Sequence, residues 1–517
     1  RIPPNKPKLE LNDQNIMEYF INCNTSSLAP FTTPLDKQKA EHLYRRLGFG
    51  ASVETINQAV GQTATTLVNS LVNQALSLPE LPAPTWANWT RANYPEDDDL
   101  RGDMVNSQYV EWRLSYANSI LSNNLRDRLS FFWSNHFVTE LKTYDAPPFL
   151  YEYINCLQRN AIGNFKTFTS EIGLTSAMLY YLDGVYNNGN NPNENYAREI
   201  YELFCLGEGN NYTEDDIIET AKALTGYTER GEIGWEPVTF DITTFDPGAK
   251  TILGQTGNWG YDDVINILFS ERSNEIAGFI CTKLYEFFVH PDSSDDAGNA
   301  QTIISGMATT FIAGGFELAP VLSQLFQSQH FFDDEAIGVI IKSPFDCYYN
   351  LINETNFTYT DTTVAASVNY AGMLSQELFN PVDVAGWQRN RSWVNTNFLI
   401  GRWLSTEAFL DEFFNQDQEQ FRTLTLDAVG PANSNTSNPE IVVRALVNKF
   451  TPKGLLTDQD FENAMSAFKV EDVPENYYGS DYIAGGLGYW NLYDQSAPKQ
   501  VFLLLRHIVR QPEFQLK

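Results

Sequence analysis

Apolar side chains recur every three or four residues along most of this chain, the period of helices with one buried face. Lys37–Leu47 (KQKAEHLYRRL) has this period and stops at Gly48. Ser52 stands as an N-cap before a helix expected to run through Leu76, where LPELPAPT breaks the pattern. Residues 104–138 read as two helices split near Ser122–Asn124. The second, LRDRLSFFWSNHFV, places Leu125, Leu129, Phe132, Trp133 and His136 on one side. Between 228 and 260 the period shortens to alternation punctuated by turn residues, which predicts a hairpin or small sheet. Helical periods then resume. They are interrupted by the acidic loop PDSSDDAGNA, by NETNFTYTDTTVAA, expected to be an exposed insertion, and by the turn-rich LFNPVDVAGWQRNRSWVNTNFLIGRWL. The fold expected is mainly α, in four parts: an N-terminal arm (1–36) with a short helix near Gln14–Cys23, a helical part (37–227), a small β/loop insertion (228–260), and a second helical part with loop insertions (261–517).

The densest set of ionisable and amide side chains lies between Leu174 and Thr228. At 100° per residue, Ala197, Ile200, Tyr201 and Phe204 share one helix face, and Asn195, Arg198, Glu199 and Glu202 share the other. Asn193 is the expected N-cap and Gly207 the residue just past the end. Glu194, Arg198 and Glu202 form an i, i+4 ladder of the kind that stabilises exposed helices by ~0.3–0.5 kcal/mol per pair. Such a face is either a salt-bridged surface or a covered polar cluster. The long NNGNNPNEN approach and the apolar helices on either side motivate the second, with Asp183 and Asn193 near a covered Arg198. Thr213 opens a capping box (TEDD), and the helix from Glu214 is expected to bury Ile217, Ile218, Ala221 and Leu224 before Gly226 ends it.

These residues define the candidate chemistry. His136, Glu199 and Glu202 are the acid–base candidates, with Arg198 to hold an anionic or polarised substrate. Asp183, Asn193, Glu194, Asn195, Asp246 and Lys250 are the binding candidates. His136 also fits a plain core histidine bonded to a carbonyl. The acidic PEDDDLRGD loosely follows a calcium loop, but Arg101 occupies a ligand position and no Glu closes it, so a solvated turn is expected.

Charge narrows the partners. The 517 residues hold 34 basic and 65 acidic side chains, a net −31, which disfavours nucleic acid and anionic membrane surfaces. No apolar run reaches the ~18–20 residues that span a bilayer. With Arg1 rather than Met at its start, the chain is expected to be exported, to the periplasm, the cell surface or beyond, with its signal peptide removed. The five cysteines are widely spaced and without a CxxC, so buried free thiols are expected. No nucleophile elbow, Walker loop, Rossmann glycine pattern or HExxH occurs.

PNENYAREIYELFCLGEGNNYTEDDIIETAKALTGYT closely resembles the signature of the bacterial domain-of-unknown-function 1800 family. HLYRRLGFG, LRDRLSFFWSNHF, AMLYYLDG, KTILGQTGN, KLYEFFV, LFNPVDVAGW and PEFQL follow in the family's order, from about Ala40 to Leu516. The resemblance implies an exported, mainly α-helical bacterial protein, often encoded beside a sulfatase-like partner family, and brings no established reaction. Ser134 stands where relatives often carry the first histidine of FWHNHF, and Phe245 where they carry the histidine of HDxGxK. His136, Asp246, Lys250, Asp183, Glu194, Arg198, Glu199 and Glu202 remain at matching positions.

With both histidines replaced, no transition metal and no cofactor is expected; calcium is the one alternative the carboxylates allow. Three function classes follow: a non-catalytic component of a cell-surface or outer-membrane assembly, a glycan-binding protein using Trp235, Trp259, Trp387, Trp393 or Tyr227 as platforms, and an extracellular hydrolase or lyase acting on a polymer through the Glu/His/Arg cluster. Assembly or binding ranks ahead of catalysis, and the partners expected are neighbouring proteins or a glycan.

Overall fold

The computed structural model describes residues 26–229, 234–294, 299–469 and 490–517. Among them are 22 α-helices against two short two-stranded antiparallel ladders, so the chain is mainly α. The helix expected near Gln14–Cys23 lies outside the described residues.

Caps written in the sequence start many of the helices. Asp36 accepts from the Lys39 N–H, Ser52 from Thr55, Asn124 from Asp127 and Thr213 from Asp216. Each satisfies an N–H with no intrahelical partner, worth roughly 1 kcal/mol. The split between Asp98–Leu121 and Leu125–Ser134 falls where it is expected, at Asn123, with φ 65°, and the Asn124 cap.

Four local expectations are corrected. The helix capped by Ser52 ends at Ala59, and a second runs over Ala64–Ser77. Tertiary pairing makes the break: the Gly61 N–H donates to the Leu35 carbonyl (2.9 Å) and the Leu35 N–H to the Gln62 carbonyl (2.8 Å). PEDDDLRGD begins a helix rather than forming a solvated turn. Asp97 caps it at the Leu100 N–H, and Asp98 and Asp99 fill its first turn, where the helix dipole favours acidic groups. NETNFTYTDTTVAA is no exposed insertion: it ends the helix Pro344–Thr355, turns at Asn356 (φ 56°) and begins Asp361–Met373, whose Val364 is fully buried. Ile217, Ala221 and Leu224 are buried as expected, but Ile218 is 37% exposed.

The β structure lies where the alternation predicts it. Tyr227–Thr228 pairs with Thr239–Phe240, and Lys250–Ile252 pairs with Gln255–Gly257. Buried apolar side chains form one contiguous set from Leu35 to Phe514. Charged residues cross it. Arg45 Nε donates to Glu354 Oε1 (2.5 Å), and Arg46 donates to the carbonyls of Phe288 and Val289 (3.2 Å each) and Ala336 (2.5 Å). Arg45 also donates to the Lys449 carbonyl, so the adjacent arginines of HLYRRLGFG tie their helix to four distant segments. Near the end of the chain, the Lys342 N–H donates to the Gln515 carbonyl (2.8 Å) and the Lys517 N–H to Ile340 (2.9 Å). Cys156, Cys205, Cys281 and Cys347 are buried free thiols, and burial pushes the Cys156 thiol up to about 12. No described helix is long and apolar enough to cross a membrane.

Candidate functional site

The polar stretch folds as Ser176–Tyr181, a 3₁₀ turn at Gly184–Tyr186, an Asn-rich loop, and Asn195–Glu199 continuing into a π-helical segment, Ile200–Cys205. The regular helix expected here widens by one residue per turn and stops at Gly207, whose φ of +91° only glycine adopts without strain. Ala197, Ile200, Tyr201 and Phe204 are buried. Asn195, Arg198, Glu199 and Glu202 form the half-buried opposite face.

Arg198 is not covered. Its side chain is 33% exposed and reaches Glu194 (3.4 Å), Glu202 (3.1 Å) and, from the next helix, Glu214 (2.8 Å). The expected lid is absent because the asparagines serve the backbone instead. Asn187 is buried, donating to the Ala221 carbonyl (2.9 Å) and accepting the Asn193 N–H (2.8 Å). Asn188 accepts from the N–H groups of Asn190 and Asn191, and the Gly189 N–H donates to Thr244 (2.7 Å), which holds the loop against the β insertion. Asn193 accepts the Asn195 N–H (2.9 Å), and Asn195 donates to Asp183 (3.3 Å), itself in the left-handed region at φ 59°. Arg198→Ala is therefore expected to cost under ~1 kcal/mol in urea denaturation, as for other screened surface pairs; a loss of several kcal/mol would mean a buried cluster. Glu199 is the perturbed group here: partial burial, with Glu202 beside it, pushes its carboxyl up to about 6.

His136 sits on the other side of that helix. It is 2% exposed, among the rings of Trp133, Phe137, Phe165 and Phe204, and its Nε2 lies 3.0 Å from the Phe204 carbonyl. A carbonyl only accepts, so Nε2 carries the proton and Nδ1 is left without a partner. Burial first, then the charge of Lys283, lowers its pKa, and the imidazole is neutral. His136 thus faces the apolar side of the segment whose polar side carries Glu199 and Glu202.

Asp246 and Lys250 form a third, separate unit. The Asp246 N–H donates to Thr225 Oγ1 (2.8 Å), and Asp246 Oδ1 accepts the Gly248 N–H (2.7 Å). Lys250, 1% exposed, donates to the carbonyls of Asp246 and Gly248, with its Nζ 4.8 Å from the Phe245 ring centroid. The arrangement fastens a turn. Among the described residues, no three His, Cys, Asp or Glu side chains converge as metal ligands.

A cleft of about 380 Å³ lies along residues 98–109 beside Trp235, and two others gather aromatic rings. The larger, about 550 Å³, opens between Trp89, Phe149–Asn155 and Trp235–Pro237. Trp89, Tyr151 and Trp235 are each half-buried. Trp89 and Trp235 meet Tyr94 edge-on (5.2 and 4.9 Å), and Tyr151 meets Trp112 (5.2 Å). Trp235 is held at φ 59°, an uncommon conformation for a bulky residue. Polar groups line the same cleft. Asn155 donates to Tyr151 Oη (2.8 Å) while its buried Oδ1 has no partner, Glu152 accepts the Ser176 N–H (3.0 Å), and Glu171 is held by Arg159 (3.0 Å) and Asn160 (2.8 Å). The smaller cleft, about 100 Å³, lies between Phe131–Asn135, Glu286–Phe287 and the loop Trp387–Trp393, with Asp346 and Lys517 in its wall.

The family of proteins of unknown function designated DUF1800 matches residues 42–516, nearly the whole chain. The chain belongs to the DUF1800 family. No curated protein and no solved structure matches it.

In this DUF1800 chain, motifs far apart in sequence meet at the smaller cleft. Asn135 of FWSNHF accepts the Trp387 N–H of LFNPVDVAGW (2.5 Å) and packs against Gly386, where φ is +90° and a Cβ would lie 2.3 Å from Asn135 Oδ1. Trp387 Nε1 donates to the Glu377 carbonyl (3.0 Å). Trp387 and Trp393, expected as platforms, are 6% and 4% exposed and serve as packing anchors. Trp259 remains half-buried over Gly257, and Tyr227 packs on Phe240 and Tyr261. At the two positions that depart from the relatives, Ser134 bonds back to the Phe131 carbonyl (2.8 Å) and Phe245 packs against Phe240 and Lys250. Sequence reasoning singled out Trp235 but not Trp89, Tyr151 or Asn155. The pair of tryptophans in WANW was a signal for one wall; nothing local joins it to residues 151 and 235.

Proposed function

We propose that this DUF1800 protein is a non-catalytic, glycan-binding component of an exported cell-surface assembly. The observation that carries the reading is the 550 Å³ cleft with three half-buried aromatic rings, Trp89, Tyr151 and Trp235, fixed from behind by Tyr94 and Trp112. Sugar rings present apolar C–H faces and a rim of hydroxyls. Rigid aromatic faces suit the first, and planar amide and carboxylate groups suit the second. Glu152 and Glu171 on the cleft wall supply carboxylate acceptors for the hydroxyl rim. Those carboxylates and Glu80, against one Arg159, favour a neutral glycan over a polyanionic one. The acidic surface and the family resemblance support export and a place among cell-surface proteins.

Two arrangements weigh against catalysis at the polar stretch: His136 is enclosed in the aromatic core, and Glu199 and Glu202 face away from it. A hydrolase reading has one observation of its own. Glu152 is exposed on the cleft wall, and partial desolvation there raises its carboxyl from the usual carboxylate value. Glu171, the second carboxylate such a mechanism needs, is occupied by Arg159 and Asn160. Calorimetry with cellohexaose, mannohexaose and chitohexaose tests the binding reading. At least one is expected to bind, and Trp89→Ala to weaken it by about 2 kcal/mol, roughly 30-fold in Kd. Equal binding by Trp89→Ala, or no binding of any hexasaccharide, would overturn it.

A further inference from the structure

Trp235 lines two clefts. It stands with Trp89 and Tyr151 in the cleft of about 550 Å³, and it also lines the cleft of about 380 Å³ along the helix Asp98–Leu121. Arg101, Gly102, Val105 and Tyr109 share the helix face that lines this second cleft. The indole is fixed where the two clefts adjoin. Tyr94 meets it edge-on at 4.9 Å and donates to Gln108 of the same helix (2.8 Å). The Arg91 guanidinium stands 5.7 Å from the ring centroid, and the Arg91 N–H donates to the Gly234 carbonyl (2.9 Å). Two residues lining the second cleft, Trp235 (φ 59°) and Asp145 (φ 43°), have left-handed backbone, a cost that tends to persist where a ligand is gripped. Gly102 is the more telling residue. A glycine inside a helix weakens it, yet a Cβ there would meet nothing within 4 Å among the described residues, and its φ is not left-handed. Packing does not call for this glycine; its effect is to keep the second cleft open.

We propose that the two clefts are adjoining subsites of one groove, and that the protein holds the interior of a linear neutral glycan laid across Trp235. The inference rests on the glycan reading of the larger cleft and adds the length of chain bound. The second cleft repeats the chemistry of the first: an aromatic ring beside amide and carboxylate groups, here the exposed Asn106, Asp98 and Asp145. Its one cation, Arg101, is engaged by Asp98 and by the Glu96 carbonyl (3.3 Å), so nothing there favours an anionic sugar. A chain anchored at Trp89 presents its next sugars to the second cleft at high effective concentration, so weak contacts there add to the affinity.

Titration calorimetry on the full chain compares whichever hexasaccharide binds with the trisaccharide of the same sugar. The hexasaccharide is expected to bind roughly ten-fold tighter or more. Gly102→Leu fills the second cleft from a position with open space around it, and leucine is the better helix former, so the fold is kept. It should remove the advantage of the hexasaccharide and leave the trisaccharide unchanged, whereas Trp89→Ala should weaken both. Asn106→Ala, which adds no bulk, should weaken the hexasaccharide alone, by roughly three-fold. Equal affinity for the two lengths, or hexasaccharide binding untouched by Gly102→Leu, would overturn the extended groove while leaving the larger cleft a glycan site. Failure of every hexasaccharide to bind would instead remove the glycan reading, and the groove with it.

Discussion

Asp346→Ala is expected to destabilise the protein by about 3–5 kcal/mol, the cost of leaving buried charges without their partner. Asp346 is 3% exposed. Its Oδ2 receives Lys517 Nζ (2.6 Å) and the Ser343 N–H (3.0 Å), and its Oδ1 lies 3.0 Å from Arg128. The Arg128 guanidinium lies 4.3 Å and 4.7 Å from the ring centroids of Phe49 and Phe287, apolar surroundings in which its charge is costly once Asp346 is gone. Although burial opposes it, Arg128 and Lys517 together hold the Asp346 carboxyl well below the usual carboxylate range. The unfolded chain binds this proton near pH 3.9, so the stabilisation is complete above about pH 4 and fades as pH falls toward the lower folded value. Urea denaturation at pH 7 and pH 3 checks both statements. The wild-type excess over Asp346→Ala should narrow at the lower pH, and a gap that widened there would reverse the assignment.

Gly386→Ala is the second large effect. At φ +90° a side chain is strained wherever it sits, and here the added Cβ would stand 2.3 Å from Asn135 Oδ1 and 2.9 Å from the Asn135 carbonyl. Relief requires the loop to lift, breaking the bond from the Trp387 N–H to Asn135 and displacing Trp387 from its site on Phe131 (5.2 Å). A loss of about 2–4 kcal/mol is expected, with faster amide exchange at Trp387. An unchanged urea midpoint together with a protected Trp387 amide would show that the Asn135–Gly386 contact does not hold the loop.

These two sites mark the limit of what the sequence shows. Periodicity and caps are local, and the helices they specify at Lys37–Leu47, Leu125–Ser134 and Glu214–Ala223 need no distant partner to be recognised. The break at residues 60–63 depends on Leu35, and the helix over Asp361–Met373 begins inside a stretch of Asn and Thr that reads as loop until its Thr360 cap is seen. Charge was the less legible property. The Glu194–Arg198–Glu202 ladder stays near the surface, while Arg45, Arg46, Arg128, Lys342, Asp346 and Lys517 are buried. Nothing next to Arg128 in sequence shows that Asp346 will neutralise it. The candidate residues separate for the same reason: His136, Glu199 and Lys250 lie on three packing units that only the tertiary fold sets apart. Trp235 could be named from its loop, but its neighbours Trp89 and Tyr151 come from segments far away in the chain.

We propose binding without turnover at the aromatic cleft. Its most direct test is prolonged incubation of the protein with whichever hexasaccharide binds, followed by chromatography of the sugar. Full recovery of intact hexasaccharide from the wild-type protein is expected, at a concentration where calorimetry shows the cleft occupied. Shorter oligosaccharides that accumulate with wild type and not with Glu152→Gln would contradict it and make Glu152 the acid of a hydrolase.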